Sequence, residues 1–341
     1  MKRISFLSLF FLLNIACQKN SKVNTNNNTQ ENKTVKYPSD VIPFMDKFKI
    51  LLGDGTRSEN LVGFQKEDFF YVKNDGIADW VVYKTPNAGI TSKTSSNTRS
   101  ELHQKKYWKP KEGGNLTGTV KVMHVSTTGD ATTRSAHSVV IGQIHSDDGH
   151  ENEPLKIYYK KFPGHKKGSV FWNYEINTKG DNIGRFDYST AVWGSDFSVV
   201  GPSSNEYPAE PQDGIELGEE FTYEVNVYEG IMYLTFTSKN HKTVRFTKSL
   251  IQSEFATREA IPQQVLKLYE NSVKGGGVER ESAYADELSY FKQGAYNQAN
   301  VKSTTSEIYG GNISKQYKNG SYAEVWYKEA SLSAGTLPSK Y

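Results

Sequence analysis

Residues 221–237, Phe221-Thr-Tyr-Glu-Val-Asn-Val-Tyr-Glu-Gly-Ile-Met-Tyr-Leu-Thr-Phe-Thr237, decide the fold. Phe221, Tyr223, Val225 and Val227 fall on one face of an extended chain, and Thr222, Glu224 and Asn226 on the other. Period-two alternation of this kind marks a half-buried strand. The short turn Tyr228-Glu-Gly230 then leads into a second run, Ile231–Thr237, and Ser238-Lys-Asn-His241 into a third, Lys242–Thr247. Working outward, further strand-like runs occupy Gly118–Val125, His137–His145, Leu155–Lys161, Ser169–Ile176, Glu287–Tyr296 and Ser321–Ala330. Helix is scarce, and Arg258–Tyr269, with Pro262 early in it, is the best candidate. So many antiparallel strands joined by short turns predict an all-β protein, a β-sandwich or jelly roll.

Composition agrees. The chain of 341 residues is rich in Tyr (21) and Phe (17), which pack well on pleated surfaces. A hydrophobic fraction of 36% is too low for a polytopic membrane protein and sufficient for a core. The formal charge of +3, with no basic run, helix-turn-helix pattern or zinc spacing, gives no reason to expect a nucleic-acid partner.

At the N-terminus, Lys2 and Arg3 precede an apolar run from Ile4 to Ile15, followed by Ala16 and Cys17, the sole cysteine. A charged segment, a short apolar segment and a small residue make a secretory signal rather than a spanning helix. The arrangement resembles a bacterial lipoprotein signal, although Asn14 stands where leucine is commoner. The resemblance implies a signal peptide over 1–16, lipidation of Cys17, and export to the cell surface or outer membrane; a plain secreted product is the alternative. Residues 17–37 are rich in Asn, Lys and Thr and too polar to bury a core, so they read as a disordered tether. About 20 such residues span roughly 25 Å. No later shift in composition occurs, which makes 38–341 one domain. With Cys17 consumed, no disulfide is available.

Three strand-like segments carry polar residues at every second position. Arg99, Glu101 and His103 share a face in Arg99-Ser-Glu-Leu-His103. Gln143 and His145 share one in Gln143-Ile-His145, and Tyr290, Lys292, Tyr296 and Gln298 share one in Tyr290-Phe-Lys-Gln-Gly-Ala-Tyr-Asn-Gln298. Each strand can therefore offer polar groups to a groove while its other face packs inward.

In this order, the three segments resemble the signatures of the polysaccharide lyase family 7 alginate lyases, over residues from roughly 40 to the C-terminus. The resemblance implies a jelly roll with a concave active cleft, and β-elimination on 1,4-linked mannuronate and guluronate. Elimination removes the C5 proton, α to a carboxylate, and expels O4, so negative charge gathers on that carboxylate. Donors and cations placed there stabilise the charge. By resemblance Arg99, Gln143 and His145 do this, Arg99 through its two-pronged guanidinium. No metal or cofactor is then required.

Tyr296 matches the family's catalytic tyrosine. It is expected to protonate the departing O4 and, on mannuronate, also to take the C5 proton; on guluronate His145 is the expected base. A free phenol is a poor base at neutral pH, so this role calls for cations such as Arg99 and Lys292 close by. Glu101, His103, Lys292 and Gln298 are expected to position the sugar, with Glu101 alternatively serving only as a partner for Arg99. Where the family often has a second arginine, this chain has His103. His124, His137, His150, His165 and His241 read as structural, and Tyr290 as packing or groove wall.

Ile144 is associated in the family with guluronate-containing chains. The stretch from about Lys179 to Gly214 reads as a long aromatic-bearing loop. With Asp147–Pro154 it is expected to wall off one end of the cleft, favouring exolytic trimming of oligoalginates by a monomeric enzyme. The alternatives are an endolytic guluronate-preferring lyase, a lyase for another polyuronate such as glucuronan, and a non-catalytic alginate-binding module. A glycoside hydrolase needs two carboxylates flanking the bond, and no closely spaced strand carboxylates of that kind are found.

Overall fold

The hairpin anticipated at 221–237 forms, and among the described residues fourteen further strands accompany it in two sheets. The computed structural model describes residues 35–92, 95–147, 152–178, 184–201, 206–269, 277–299 and 312–339. The signal segment, Cys17, most of the tether and His150 lie outside them. The strands are β1 (Phe48–Leu51), β2 (Arg57–Ser58), β3 (Phe70–Asn74), β4 (Asp79–Pro86), β5 (Arg99–Gln104), β6 (Gly114–His124), β7 (Ser138–Ser146) and β8 (Leu155–Lys160). There follow β9 (Lys167–Glu175), β10 (Asp187–Trp193), β11 (Ile215–Glu216), β12 (Glu220–Tyr228), β13 (Ile231–Ser238), β14 (Val244–Ser249), β15 (Ser289–Asn297) and β16 (Tyr322–Ser333).

They build two antiparallel sheets. One runs β10-β9-β8-β7-β15-β5-β1-β2 with β11 on β9; the other runs β14-β13-β12-β6-β16-β4-β3. The jelly-roll sandwich expected from the sequence is what the chain forms. The core lies between the sheets, where Leu102, Ile144, Trp172, Tyr174 and Phe291 of the first meet Leu116, Tyr223, Leu234 and Tyr327 of the second.

Two local expectations need correction. The candidate helix Arg258–Tyr269 is split into a 3-10 turn, Arg258–Ala260, and a short helix, Gln263–Leu268. Pro262 sits between them with ψ 136°, and Ile261 before it is extended; a proline disfavours helical backbone in the residue that precedes it. The stretch 179–214 is not all loop, because it contains β10, which pairs with β9 from Asp187 to Trp193.

The centre of the first sheet is irregular in a way that matters for the site. β7 carries an extra residue against β8 between Val140 and Gly142, and β15 carries one against β7 between Gln293 and Tyr296. Such bulges disrupt the ladder locally. The carbonyl of Ile141, within both irregularities, accepts a hydrogen bond from the Tyr327 hydroxyl of the opposite sheet at 2.6 Å. Gln293 Nε2 donates to the Tyr223 hydroxyl at 2.8 Å. Phenols of β12 and β16 thus satisfy groups near the bulges, which burial would otherwise penalise.

Candidate active site

Because Leu102, Ile144, Phe291 and Ala295 point into the core, their sequence neighbours on β5, β7 and β15 project from the other face of the sheet. β15 lies between β5 and β7, and its register aligns the side chains in rows. Arg99, Tyr296, Val140, Tyr158 and Phe171 are successive partners across five strands. His103, Lys292, Gln143, Lys156 and Asn173 form a second row, and Tyr290 faces His145 in a third. One row is aromatic around an arginine; the next is cationic and amide-bearing. Seven of the eight expected site side chains are therefore gathered on three adjacent strands.

Glu101 is the hub. Lys292 Nζ lies 2.8 Å and Arg99 Nη1 3.3 Å from its Oε2, while Gln143 Nε2 donates to Oε1. Burial pushes this carboxyl upward, but Lys292 and Arg99 outweigh it and hold it below the usual carboxylate range. Both oxygens are taken, so the geometry makes Glu101 a clamp on three site residues. The reach from β5 to β7 crosses β15 at Gly294, which faces Glu101 in the ladder. Gly294 has φ +148°, and a Cβ there would meet Ser100 O at 2.5 Å and Glu101 Cα at 2.9 Å. Only glycine fits such a place.

Two cations and one carboxylate leave a net positive charge for a uronate. Burial, then the neighbouring Arg99, lowers the Lys292 ammonium from its ordinary value, with Glu101 opposing. Arg99 lies over Tyr296, its Cζ 3.8 Å from the ring centre. The Tyr296 hydroxyl is 3.0 Å from Ser95 Oγ, which also accepts from Arg99 Nη2 at 3.0 Å. Ser95 carries no strand pattern, and nothing in the sequence singles it out.

The imidazoles are neutral. Burial lowers His145 to about 4, with Glu153 pulling the other way and Lys292 adding to the fall. Its Nδ1 lies 2.7 Å from the Ser146 carbonyl; a carbonyl can only accept, so the proton is on Nδ1 and Nε2 carries the lone pair. Glu153 Oε1 stands 3.7 Å from that Nε2. Burial and the charge of Lys292 lower His103 to about 3, so it supplies a ring where an arginine would supply charge. The Tyr290 ring stacks on His103 (4.0 Å) and on His145 (5.0 Å), fixing both planes. Gln298 lies one residue beyond β15, and its buried Nε2 has no hydrogen-bond partner among the described residues. His137 bonds the Ser126 carbonyl through Nδ1 at 2.8 Å, a structural role.

Beyond His145 the same face holds a charged cluster. Lys156 Nζ contacts Glu153 (3.3 Å), Glu175 (2.9 Å) and Asp187 (3.4 Å), and Arg185 contacts Glu175 at 2.7 Å. Burial, opposed by Lys156, raises Glu175 to about 8, and Glu153 is hydrogen-bonded to it. These two carboxyls are too close together to flank a glycosidic bond, which needs a separation of about 5 Å or more. Among the described residues no group of three or more His, Cys, Asp or Glu side chains could hold a metal ion.

A guanidinium, an ammonium, an amide, a neutral imidazole and a phenol on one sheet face are the groups that a polysaccharide lyase acting on uronates requires. Comparison with known proteins gives the family: residues 42–334 match the alginate lyase family model, and the chain belongs to that family, the family 7 polysaccharide lyases. An alginate lyase of Klebsiella pneumoniae is 27% identical over 267 residues, 69% of this chain and 73% of that protein. The crystal structure of the exolytic PL7 alginate lyase AlyA5 from Zobellia galactanivorans is 64% identical, with a TM-score of 0.86 over 89% of this chain and 100% of that one. The structure of the Klebsiella pneumoniae alginate lyase, at 22% identity and TM-score 0.61 over 88% of this chain and 99% of that one, shares the fold. The enzyme is an alginate lyase.

Proposed function

We propose that this enzyme trims alginate oligosaccharides from a chain end, with Arg99, Gln143 and Lys292 on the uronate carboxylate, His145 or Tyr296 as base, and Tyr296 as acid. The observation that carries the chemistry is the convergence of these groups on β5, β7 and β15. Arg99 and Lys292 meet the charge that develops as C5 loses its proton. His145 Nε2 is the base for guluronate, whose C5 proton lies on the ring face opposite that of mannuronate; Tyr296 serves mannuronate. In both, the C5–H electron pair becomes the C4–C5 double bond and O4 leaves with the C4–O4 pair and a proton from Tyr296.

End-trimming is supported by the charged cluster beside His145. Arg185 bonds Asn152 Oδ1 at 3.3 Å and Glu175 at 2.7 Å, so Asn152, just before β8, is tied through Arg185, just before β10, to the site's face of the sheet. A tie of this kind closes one end of a groove. The 64% identical relative is described as exolytic. Digestion of mannuronate-rich, guluronate-rich and mixed alginates, followed by absorbance of the new double bond and by product size, tests the reading. Steady release of monomer or dimer is expected; early release of mixed larger oligomers contradicts it.

The N-terminal motif supports export and anchoring through Cys17. Incorporation of labelled palmitate by the full chain, abolished in Cys17→Ser, is the expected result.

A further inference from the structure

We infer that Ser95 is a positioning residue for the elimination, holding the Tyr296 phenol so that its own proton faces the leaving oxygen; this rests on the acid role proposed for Tyr296. The inference comes from counting protons and lone pairs. Ser95 Oγ accepts from Arg99 Nη2 at 3.0 Å and from the Asn97 backbone N–H at 3.2 Å. It also lies 3.0 Å from the Tyr296 hydroxyl and 3.1 Å from the Asn97 carbonyl.

A hydroxyl has two acceptor positions and one proton. Arg99 and the Asn97 N–H can only donate, so together they fill both acceptor positions. Tyr296 therefore cannot donate to Ser95 as a third partner, and the single Ser95 proton is shared between the Asn97 carbonyl and the phenol oxygen. The phenol proton is then turned away from Ser95 and toward the groove. Once that proton has moved to O4, the same Ser95 O–H faces a phenolate, where a hydrogen bond is about twice as strong as to a neutral oxygen. Ser95 itself gains and loses nothing. Its proton has one other acceptor, the Asn97 carbonyl, so it can swing between the two as Tyr296 cycles.

The groups packed around Tyr296 leave few others to do this. Val140, Tyr158, Phe171 and Phe197 surround it, and burial holds the Tyr158 phenol well above its ordinary value, hence protonated. Among the described residues the charge facing the ring is Arg99, stacked at 3.8 Å and itself paired with Glu101. Arg99 bonds Ser95 and not the phenol oxygen, so Ser95 links the cation to that oxygen.

The test compares Ser95→Ala, Ser95→Thr and Tyr296→Phe, measuring kcat and KM on mannuronate-rich and guluronate-rich oligosaccharides from pH 5 to 9, with melting temperatures alongside. Loss of one hydrogen bond to a charged group predicts a fall in kcat of about 10–100-fold in Ser95→Ala with KM little changed. Ser95→Thr, which keeps the hydroxyl, restores most of the rate. A Ser95→Ala enzyme with the parent kcat, or one changed only in KM or melting temperature, overturns the inference. Full activity in Tyr296→Phe overturns instead the acid role on which it rests.

Discussion

Arg99 and Tyr296 face each other on neighbouring strands, the guanidinium carbon 3.8 Å above the centre of the phenol ring. One side chain thus stacks on the proposed acid, pairs with Glu101 and bonds Ser95. Planarity is what allows all three. Arg99→Lys keeps the charge and loses the plane and the fork. The expected outcome is a fall in kcat/KM of about 100-fold or more, read by initial rates of double-bond absorbance, in a protein that still folds by circular dichroism. Near-parent activity contradicts a role for the guanidinium plane.

His145 and His103 set the acid side of the pH response. Burial lowers them to about 4 and about 3 in the folded protein, against roughly 6.5 in an unfolded chain. Between these values the unfolded state binds protons that the folded state refuses, so stability is full above pH 6.5 and declines as pH falls toward 4. For His145 alone the loss is on the order of 3 kcal/mol. Denaturant unfolding at pH 7 and at pH 4.5 should show it, and His103→Phe should reduce the slope. Guluronate cleavage should persist down to about pH 5, where Nε2 of His145 still has its lone pair.

Glu153 favours the protonated form of His145 from 3.7 Å. Glu153→Gln therefore makes Nε2 a weaker base. A guluronate kcat about tenfold lower is expected, with the acid limb of the pH profile moved further down and mannuronate rates less affected. Equal losses on both substrates point to Glu153 as a purely structural member of the cluster.

Gly294→Ala places a methyl group 2.5 Å from the Ser100 carbonyl oxygen at a φ that L-residues avoid. It should cost at least about 2 kcal/mol and part Glu101 from Gln143. A lower melting temperature accompanied by a disproportionate loss of kcat is the expected pair of results.

Tyr327→Phe removes the hydroxyl that satisfies Ile141 O, on the side of the sheet away from the site. An unsatisfied buried carbonyl costs about 1–3 kcal/mol. Chemical denaturation measures it; an unchanged midpoint denies that the phenol secures the bulge.

The sandwich was legible because the longer strands alternate over many residues, as in β12 and β13, and the site face was legible because period two survives along β15. Lys292 and Tyr296 stay on one side although Gly294 between them bulges against β7, since pairing with β5 remains regular. β1 and β2 are short and lie at a sheet edge, giving too few positions for a pattern. β10, burial pattern mostly intermediate, hid among the Gly, Ser and Asp of the 179–214 stretch. Ser95, Glu153 and Arg185 are irregular-loop residues whose value depends on where the chain folds back, which no local spacing encodes. For Glu101 the sequence cannot separate a structural role from a substrate-binding one, because charge partners across a sheet depend on register.

The proposed chemical groups stand on β5, β7 and β15, while the contact proposed to close the groove joins Asn152 and Arg185, outside those strands. On the proposed reading, bond-breaking and length measurement are thus written in separate parts of the gene product. Exchanging the second set, by grafting or by drift, can redirect an ancestor toward longer polymers without retraining the first. Heat should likewise blur product size before it abolishes turnover, since the ladder-held portion melts only with the whole molecule.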